Sequence, residues 1–191
     1  MNDILKLGGL LMLITVIAAT ALAGIYNVTK PRIEAQKALE LERALTVALP
    51  DAPQEAIFPV QQNDKVAYYI GYKTPDKQDT VGYAFVARGS GYSSVIETMV
   101  GVDSAGQILG IKVLSQVETP GLGTKVEEVK YGEQDPWFTR QFLNKSADQL
   151  AVDKDGGDIQ SITGATISSR ALTNSVVQGY QKLLKDNLTQ K

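Results

Sequence analysis

The chain has 191 residues, with 19 Lys plus Arg against 21 Asp plus Glu and a formal net charge of −2. That length accommodates one domain and an anchor, and the charge balance offers nothing to draw nucleic acid. Cysteine and histidine are both absent, which excludes disulfides, iron–sulfur clusters, thiolate or histidine-ligated zinc, covalent c-type haem, a Ser-His-Asp triad and histidine-mediated proton transfer.

The first element is apolar. Leu7 to Tyr26 is a run of 20 residues without a charge, and ~20 helical residues span a bilayer core of about 30 Å. Tyr26 stands at one end, as an interfacial aromatic does. A signal peptide is the alternative, and Ala21-Leu22-Ala23 has the small-residue spacing of a cleavage site. Against it, the run exceeds the roughly 7–15 residues of a signal-peptide core, and only Lys6 and the amino terminus precede it. An uncleaved, lipid-embedded anchor over residues 1–28 is therefore expected. Lys30, Arg32 and Lys37 follow the span, so the positive-inside rule alone would put the body in the cytoplasm.

Residues 29–55 read as a connecting segment with an amphipathic helix. Thr29 suits its cap and Pro31 its first turn. Ile33, Leu41, Leu45 and Leu49 recur near helical spacing, and Pro50 and Pro53 end it.

The remaining domain, 56–191, begins with strands. Val66–Lys73 and Thr80–Arg88 are rich in Tyr, Val, Ile and Phe and flank the turn residues Thr74-Pro75-Asp76. Ile96–Val102 and Gln107–Leu114 flank Asp103-Ser104-Ala105-Gly106, a good hairpin loop. The middle of the chain thus predicts an antiparallel meander. Short helices are expected around Trp137–Asn144 and near Ser146–Leu150. A long helix is predicted over Ser168–Leu188, with Leu172, Val176, Tyr180, Leu183 and Leu184 on one face. The fold class is α+β: a single N-terminal transmembrane helix, then an antiparallel sheet with flanking helices.

Two motifs carry chemistry. Asp158-Ile-Gln-Ser161-Ile-Thr163-Gly164-Ala165-Thr166 leads into the last helix. Small residues let backbone approach a ligand, Gly164 can adopt positive φ, and the helix offers free N–H groups and a positive dipole end that suit phosphate. Thr163, Thr166 or Ser168 as a plain N-cap is the bland alternative. In Glu118-Thr119-Pro120-Gly121-Leu122-Gly123, Pro120 and Gly121 are the central residues that a type II turn prefers. After a strand, such a turn presents backbone and a small apolar surface to something flat. Alone it is also an ordinary tight turn. A redox role in a chain without Cys or His needs a cofactor such as a flavin, whose chemistry resides in its own ring.

Together with the single anchor and the Trp137-Phe138 to Gln141-Phe142 segment, these motifs resemble the FMN-binding-domain family over nearly the whole chain. The likeness is to the G subunits of Rnf complexes, membrane-bound ion-translocating ferredoxin:NAD oxidoreductases, and also to the C subunits of sodium-pumping NADH:quinone oxidoreductases. The resemblance implies an electron-transfer subunit carrying FMN covalently by a phosphoester on Thr166. It implies that Ser161, Thr163, Gly164 and Ala165 surround the phosphate, and that Glu118, Thr119, Pro120, Gly121, Leu122 and Gly123 line the flavin. It further implies other membrane and redox subunits as partners, a flavin transferase for maturation, and a flavin domain on the extracytoplasmic side of the plasma membrane, against the simple charge count. The family pattern often has a histidine before the Glu118 turn; here Ser115-Gln116-Val117 stand there, so no flavin contact carries over to those positions.

Other features have plainer readings. Gly89-Ser90-Gly91-Tyr92 lacks the third glycine and βαβ context of a nucleotide loop, and reads as a turn with Tyr92 bordering the flavin. Asp153 to Asp158 departs from the EF-hand pattern and reads as a solvated turn. Trp137 and Phe138 read as core, and Lys125, Glu127, Glu128 and Lys130 as a solvated face. Two rival functions remain open on residues alone. One is a membrane-tethered binding module without cofactor. The other is a free-standing flavoprotein reductase, whose proton donor would have to be Glu118, Tyr92 or a lysine.

Overall fold

The computed structural model describes residues 2–62 and 64–189. Helix α1 (Asn2–Ala48) runs 47 residues without a break. Its apolar part has a mean hydropathy of 2.2 and none of it is buried among the described residues; Leu10, Leu11, Ile14 and Ile17 are all exposed. Such a surface is stable against lipid rather than water.

The helix passes straight through Thr29 and Pro31, which corrects the expectation of a new helix capped at Thr29. The Thr29 hydroxyl instead donates back to the carbonyls of Ile25 and Tyr26 at 3.0 and 3.2 Å. Pro31 removes one backbone bond, but once a helix is nucleated each further residue adds its own, so a single proline does not force an end. Ile33 is exposed. The chain divides into two units, residues 1–40 and residues 41–191.

The second unit is a five-stranded antiparallel meander in the order β1-β2-β3-β4-β5. The strands are β1 (Ile57–Gln62), β2 (Lys65–Tyr72), β3 (Thr80–Ser90), β4 (Val95–Val102) and β5 (Ile108–Ser115). Strand β1 is not evident from the sequence because Pro59 demotes it. As an edge strand it tolerates the missing N–H, pairing Pro59 with Tyr69.

Both faces of the sheet are covered, so its strand β4 is nearly all apolar and buried rather than alternating. On one face Ala44, Leu45, Ala48, Leu49 and Ala52, from the end of α1 and the turn after it, pack on Ala84 and Met99. On the other, helix α3 (Thr166–Thr189) brings Leu172, Val176 and Leu183 onto Phe85, Ala87, Ile96 and Val100. Leu184, expected on that face, is 45% exposed. Leu172 is fully buried, so Leu172→Ala should cost about 2–5 kcal/mol, read from unfolding monitored by Trp137, the chain's single tryptophan.

The segment between β5 and α3 holds little helix. Helix α2 spans only Trp137–Arg140, and turns follow. Ser146–Leu150 is not helical: the Ala147 N–H donates to the Gly106 carbonyl at 2.9 Å, and Gln107 bridges Ser146. The antiparallel bridge to Gln107 instead holds the start of this segment extended along the β4–β5 hairpin.

Candidate flavin site

The N-terminus of α3 is set by its own side chains. The first intrahelical bond runs from the Ser169 N–H to the Ala165 carbonyl at 3.0 Å, which makes Ala165 the cap and Thr166 the first helical residue. The Ser169 hydroxyl donates to that same carbonyl and accepts from the Ile162 N–H. This folds the preceding turn back onto the helix, with Gly164 at φ +79°, where a side chain would be strained. The amides of Thr166, Ile167 and Ser168 belong to the first turn and have no acceptor within the helix. They add to the positive end of its dipole.

The facing wall is the loop after β5. The Leu122 N–H donates to the Thr119 carbonyl at 3.1 Å across Pro120 and Gly121, with Gly121 at φ +76°. That agrees with a type II turn. The Thr124 hydroxyl accepts from the Gly121 N–H. Just before the turn, the Gln116 side chain accepts from the Glu118 N–H and donates to Glu127. Gln116 therefore braces the loop.

Glu118 is the centre of the arrangement. It is 4% exposed. Its carboxylate accepts from the N–H groups of Tyr92, Ser93 and Ser94 at 3.0, 3.0 and 2.9 Å. It also accepts from the hydroxyls of Ser94 at 3.0 Å and Ser168 at 2.6 Å. Burial by itself raises its pKa. The bond from Ser168 and the three backbone N–H bonds outweigh it and hold the carboxyl down at about 2. Three successive amides around one anion form a nest, and here the anion is the protein's own.

Between these walls lies a cleft of about 570 Å³, lined by Tyr92, Glu118, Thr119, Leu122, Gly123, Gly164, Ala165, Thr166, Ile167 and Ser168. Tyr92, Leu122 and Ile167 present large apolar side chains that are 71%, 42% and 51% exposed. The volume falls in the range of small-molecule sites, about 300–1,000 Å³.

Not every residue expected at this site lines the cleft. Ser161 and Thr163 border a separate hollow with Lys125, Lys130 and Trp137, and the Ser161 N–H donates to Asp153. Pro120 and Gly121 shape the turn without lining the cleft. Conversely, Ile167, Ser168 and Ser94 belong to the site although their types alone do not mark them out. A positional signal exists for each: Ile167 and Ser168 complete the first turn after Thr166, and Ser94 follows the Gly91-Tyr92 turn. The charges near Trp137 are not merely solvated. The Lys130 Nζ lies 4.3 Å from the Trp137 ring centroid, and the indole N–H donates to Glu128 at 3.2 Å. Asp155 holds Arg170 by two bonds of 2.6 Å, tying the Asp153 turn to α3.

The chain is similar to known proteins along nearly its whole length. Residues 91–181 match the family model of the FMN-binding domain, and residues 1–47 match that of the RnfG N-terminal region. The first match contains all three segments that wall the cleft. The G subunit of the Na(+)-translocating ferredoxin:NAD(+) oxidoreductase complex of Acetobacterium woodii is 34% identical over 203 residues, covering 95% of this chain and 94% of that protein. The G subunit of the ion-translocating oxidoreductase complex of Shewanella amazonensis is 32% identical, covering 92% and 86%. The G subunit of the proton-translocating ferredoxin:NAD(+) oxidoreductase complex of Clostridium ljungdahlii is 30% identical, covering 95% and 92%. Among solved structures, the C subunit of the Na(+)-translocating NADH-quinone reductase from Parabacteroides distasonis shares the fold, with a TM-score of 0.54 at 19% identity over 80% of this chain and 96% of its own. With its apolar anchor, its meander and its cleft at the head of α3, the chain belongs to the family of G subunits of ion-translocating oxidoreductase (Rnf) complexes and carries that family's FMN-binding domain.

Proposed function

We propose that this chain carries FMN as a phosphoester on Thr166 and serves as an electron-transfer subunit of a membrane-bound ion-translocating ferredoxin:NAD oxidoreductase. The observation that carries this reading is the position of Thr166. It is the first residue of α3, partly exposed, in the wall of a ligand-sized cleft. The first-turn amides and the helix dipole favour a phosphate there. Leu122, Ile167 and Tyr92 offer the apolar surface that a flat ring system needs, and they limit its contact with water. When bound, FMN supplies the one- and two-electron chemistry, and the protein supplies position and electrostatics.

Attachment requires help. An alkyl hydroxyl is a weak nucleophile unless a base activates it. Glu118 is the only carboxylate lining the cleft among the described residues, and with its pKa held at about 2 it is too weak a base for that task. A separate flavin transferase using FAD fits: the Thr166 Oγ1–P bond forms, the FAD pyrophosphate bond breaks, AMP leaves, and the transferase takes the hydroxyl proton. The same argument weakens a stand-alone reductase with Glu118 as proton donor.

In this reading residues 1–28 anchor the chain in lipid as a single pass, 29–55 connect, and 56–191 form the flavin domain on the extracytoplasmic side, against the other membrane and redox subunits. Ion translocation belongs to the whole complex, since Leu7 to Tyr26 carries no charge to serve as an ion site.

The test is in-gel flavin fluorescence after SDS denaturation, on full-length protein made together with a flavin transferase. The wild-type band should fluoresce and Thr166→Ala should be dark. Fluorescence retained in Thr166→Ala would overturn the assignment.

A further inference from the structure

Glu118 is better connected than a lining residue needs to be. Its carboxylate takes five hydrogen bonds from two segments distant in sequence. One is the turn Tyr92–Ser94, between β3 and β4. The other is Ser168, on the first turn of α3 and two residues beyond Thr166. Both segments face the cleft, through Tyr92 and through Thr166, Ile167 and Ser168. Glu118 is the piece between them.

The surroundings are shaped to this side chain. A Cβ on Gly91 would come within 2.5 Å of the Glu118 Oε1, and a Cβ on Gly123 within 2.7 Å of both the Glu118 Cβ and the Ser168 Oγ. Ser94 doubles the attachment, since its hydroxyl accepts from the Val117 N–H at 2.9 Å while donating to Glu118. All five donors are neutral, so the carboxylate's charge is solvated by dipoles. A carboxyl with a pKa near 2 keeps that charge across the physiological range.

We propose that Glu118 is a positioning residue for the flavin: it sets the spacing between the Tyr92 turn and the helix that bears Thr166, and it leaves a fixed negative charge in the lining of the cleft. The proposal rests on the reading that FMN occupies this cleft. It has two separable consequences. The spacing controls how closely the walls hold the ring and shield it from small solutes. The charge disfavours adding electrons to the ring, so it lowers the flavin's midpoint potential, and removing it raises that potential.

Two variants divide these effects. Glu118→Gln removes the charge and puts an NH₂ where N–H donors converge, so it perturbs both. Ser168→Ala keeps the charge and cuts only the bond to α3, and as a loss of one hydroxyl it should fold. Leu172→Ala, fully buried in the core and absent from the cleft, serves as a control for general loosening. Each full-length chain is made with a flavin transferase and purified in detergent, and every reading is normalised to bound flavin. The measurements are acrylamide quenching of flavin fluorescence and the midpoint potential by spectroelectrochemistry.

The expected result is stronger quenching in Glu118→Gln and in Ser168→Ala, with a positive shift in midpoint potential in Glu118→Gln that exceeds any shift in Ser168→Ala. Quenching and potential unchanged in both variants would overturn the proposal, and so would changes that Leu172→Ala reproduces in full. If Glu118→Gln does not accumulate, unchanged quenching in Ser168→Ala overturns it alone. Failure of the covalent reading looks different: the wild-type protein would hold flavin when native and lose it in SDS, leaving the Glu118 measurements readable on the bound flavin.

Discussion

Gly101→Ala should remove a large part of the stability of the domain, because the end of α1 lies directly on this residue. Gly101 of β4 pairs with Gly110 of β5, and the two bare backbones make a slot. A Cβ on Gly101 would overlap the Ala48 carbonyl oxygen and stand 2.5 Å from its carbon, while one on Gly110 would overlap the Val47 carbonyl oxygen. These neighbours are backbone and cannot rotate away. Ala48 and Leu49 are fully buried, so the helix end cannot lift without opening that face of the core. Overpacking typically costs about 1–3 kcal/mol where side chains can adjust. Here we expect more than ~4 kcal/mol, against a global stability of roughly 5–15 kcal/mol. Gly24→Ala makes the contrast, as a Cβ there meets nothing within 4 Å. Denaturant unfolding of the full chain in detergent, followed by Trp137 fluorescence, measures both. A Gly101→Ala midpoint equal to wild type would refute the packing argument.

The second large effect is a dependence on acid. Glu118 titrates at about 2 when folded against an ordinary 4.5, and a depression of that size corresponds to about 3 kcal/mol at neutral pH. A carboxyl with a lowered folded pKa binds more protons unfolded than folded. Its contribution is therefore fully present above pH 4.5 and is lost as pH falls from 4.5 toward 2. Protonation also leaves the N–H groups of Tyr92, Ser93 and Ser94 with a poorer acceptor. Glu118→Gln should be less stable than wild type at neutral pH, and the gap should narrow between pH 4.5 and 2. A gap that stays constant over that window would show that the charge of Glu118 contributes nothing to stability. Comparing the two proteins at each pH removes the contributions of other carboxylates.

How much of this is legible in the sequence follows from the range of each interaction. Signals carried by adjacent residues read true: the uncharged run from Leu7 to Tyr26, the Asp103–Gly106 hairpin, the Pro120–Gly121 turn, and Leu172, Val176 and Leu183 on one face of the last helix. Each depends on covalent geometry or hydrophobic period within a few positions, so composition and spacing alone determined them. What depends on partners far along the chain did not read. Strand β1 exists because β2 pairs with it despite Pro59. Ser146 and Ala147 run extended because they pair with Gln107 and Gly106, some forty residues earlier in the chain. The cleft is likewise a product of the tertiary structure. The motif ending in Thr166 is visible as a string, yet folding splits it. Gly164, Ala165 and Thr166 face the cleft, while Ser161 and Thr163 face another hollow. The bond between Glu118 and Ser168 spans 50 residues, and no local pattern encodes it. Only packing α3 across the sheet brings that carboxylate to the first turn of the helix that carries Thr166.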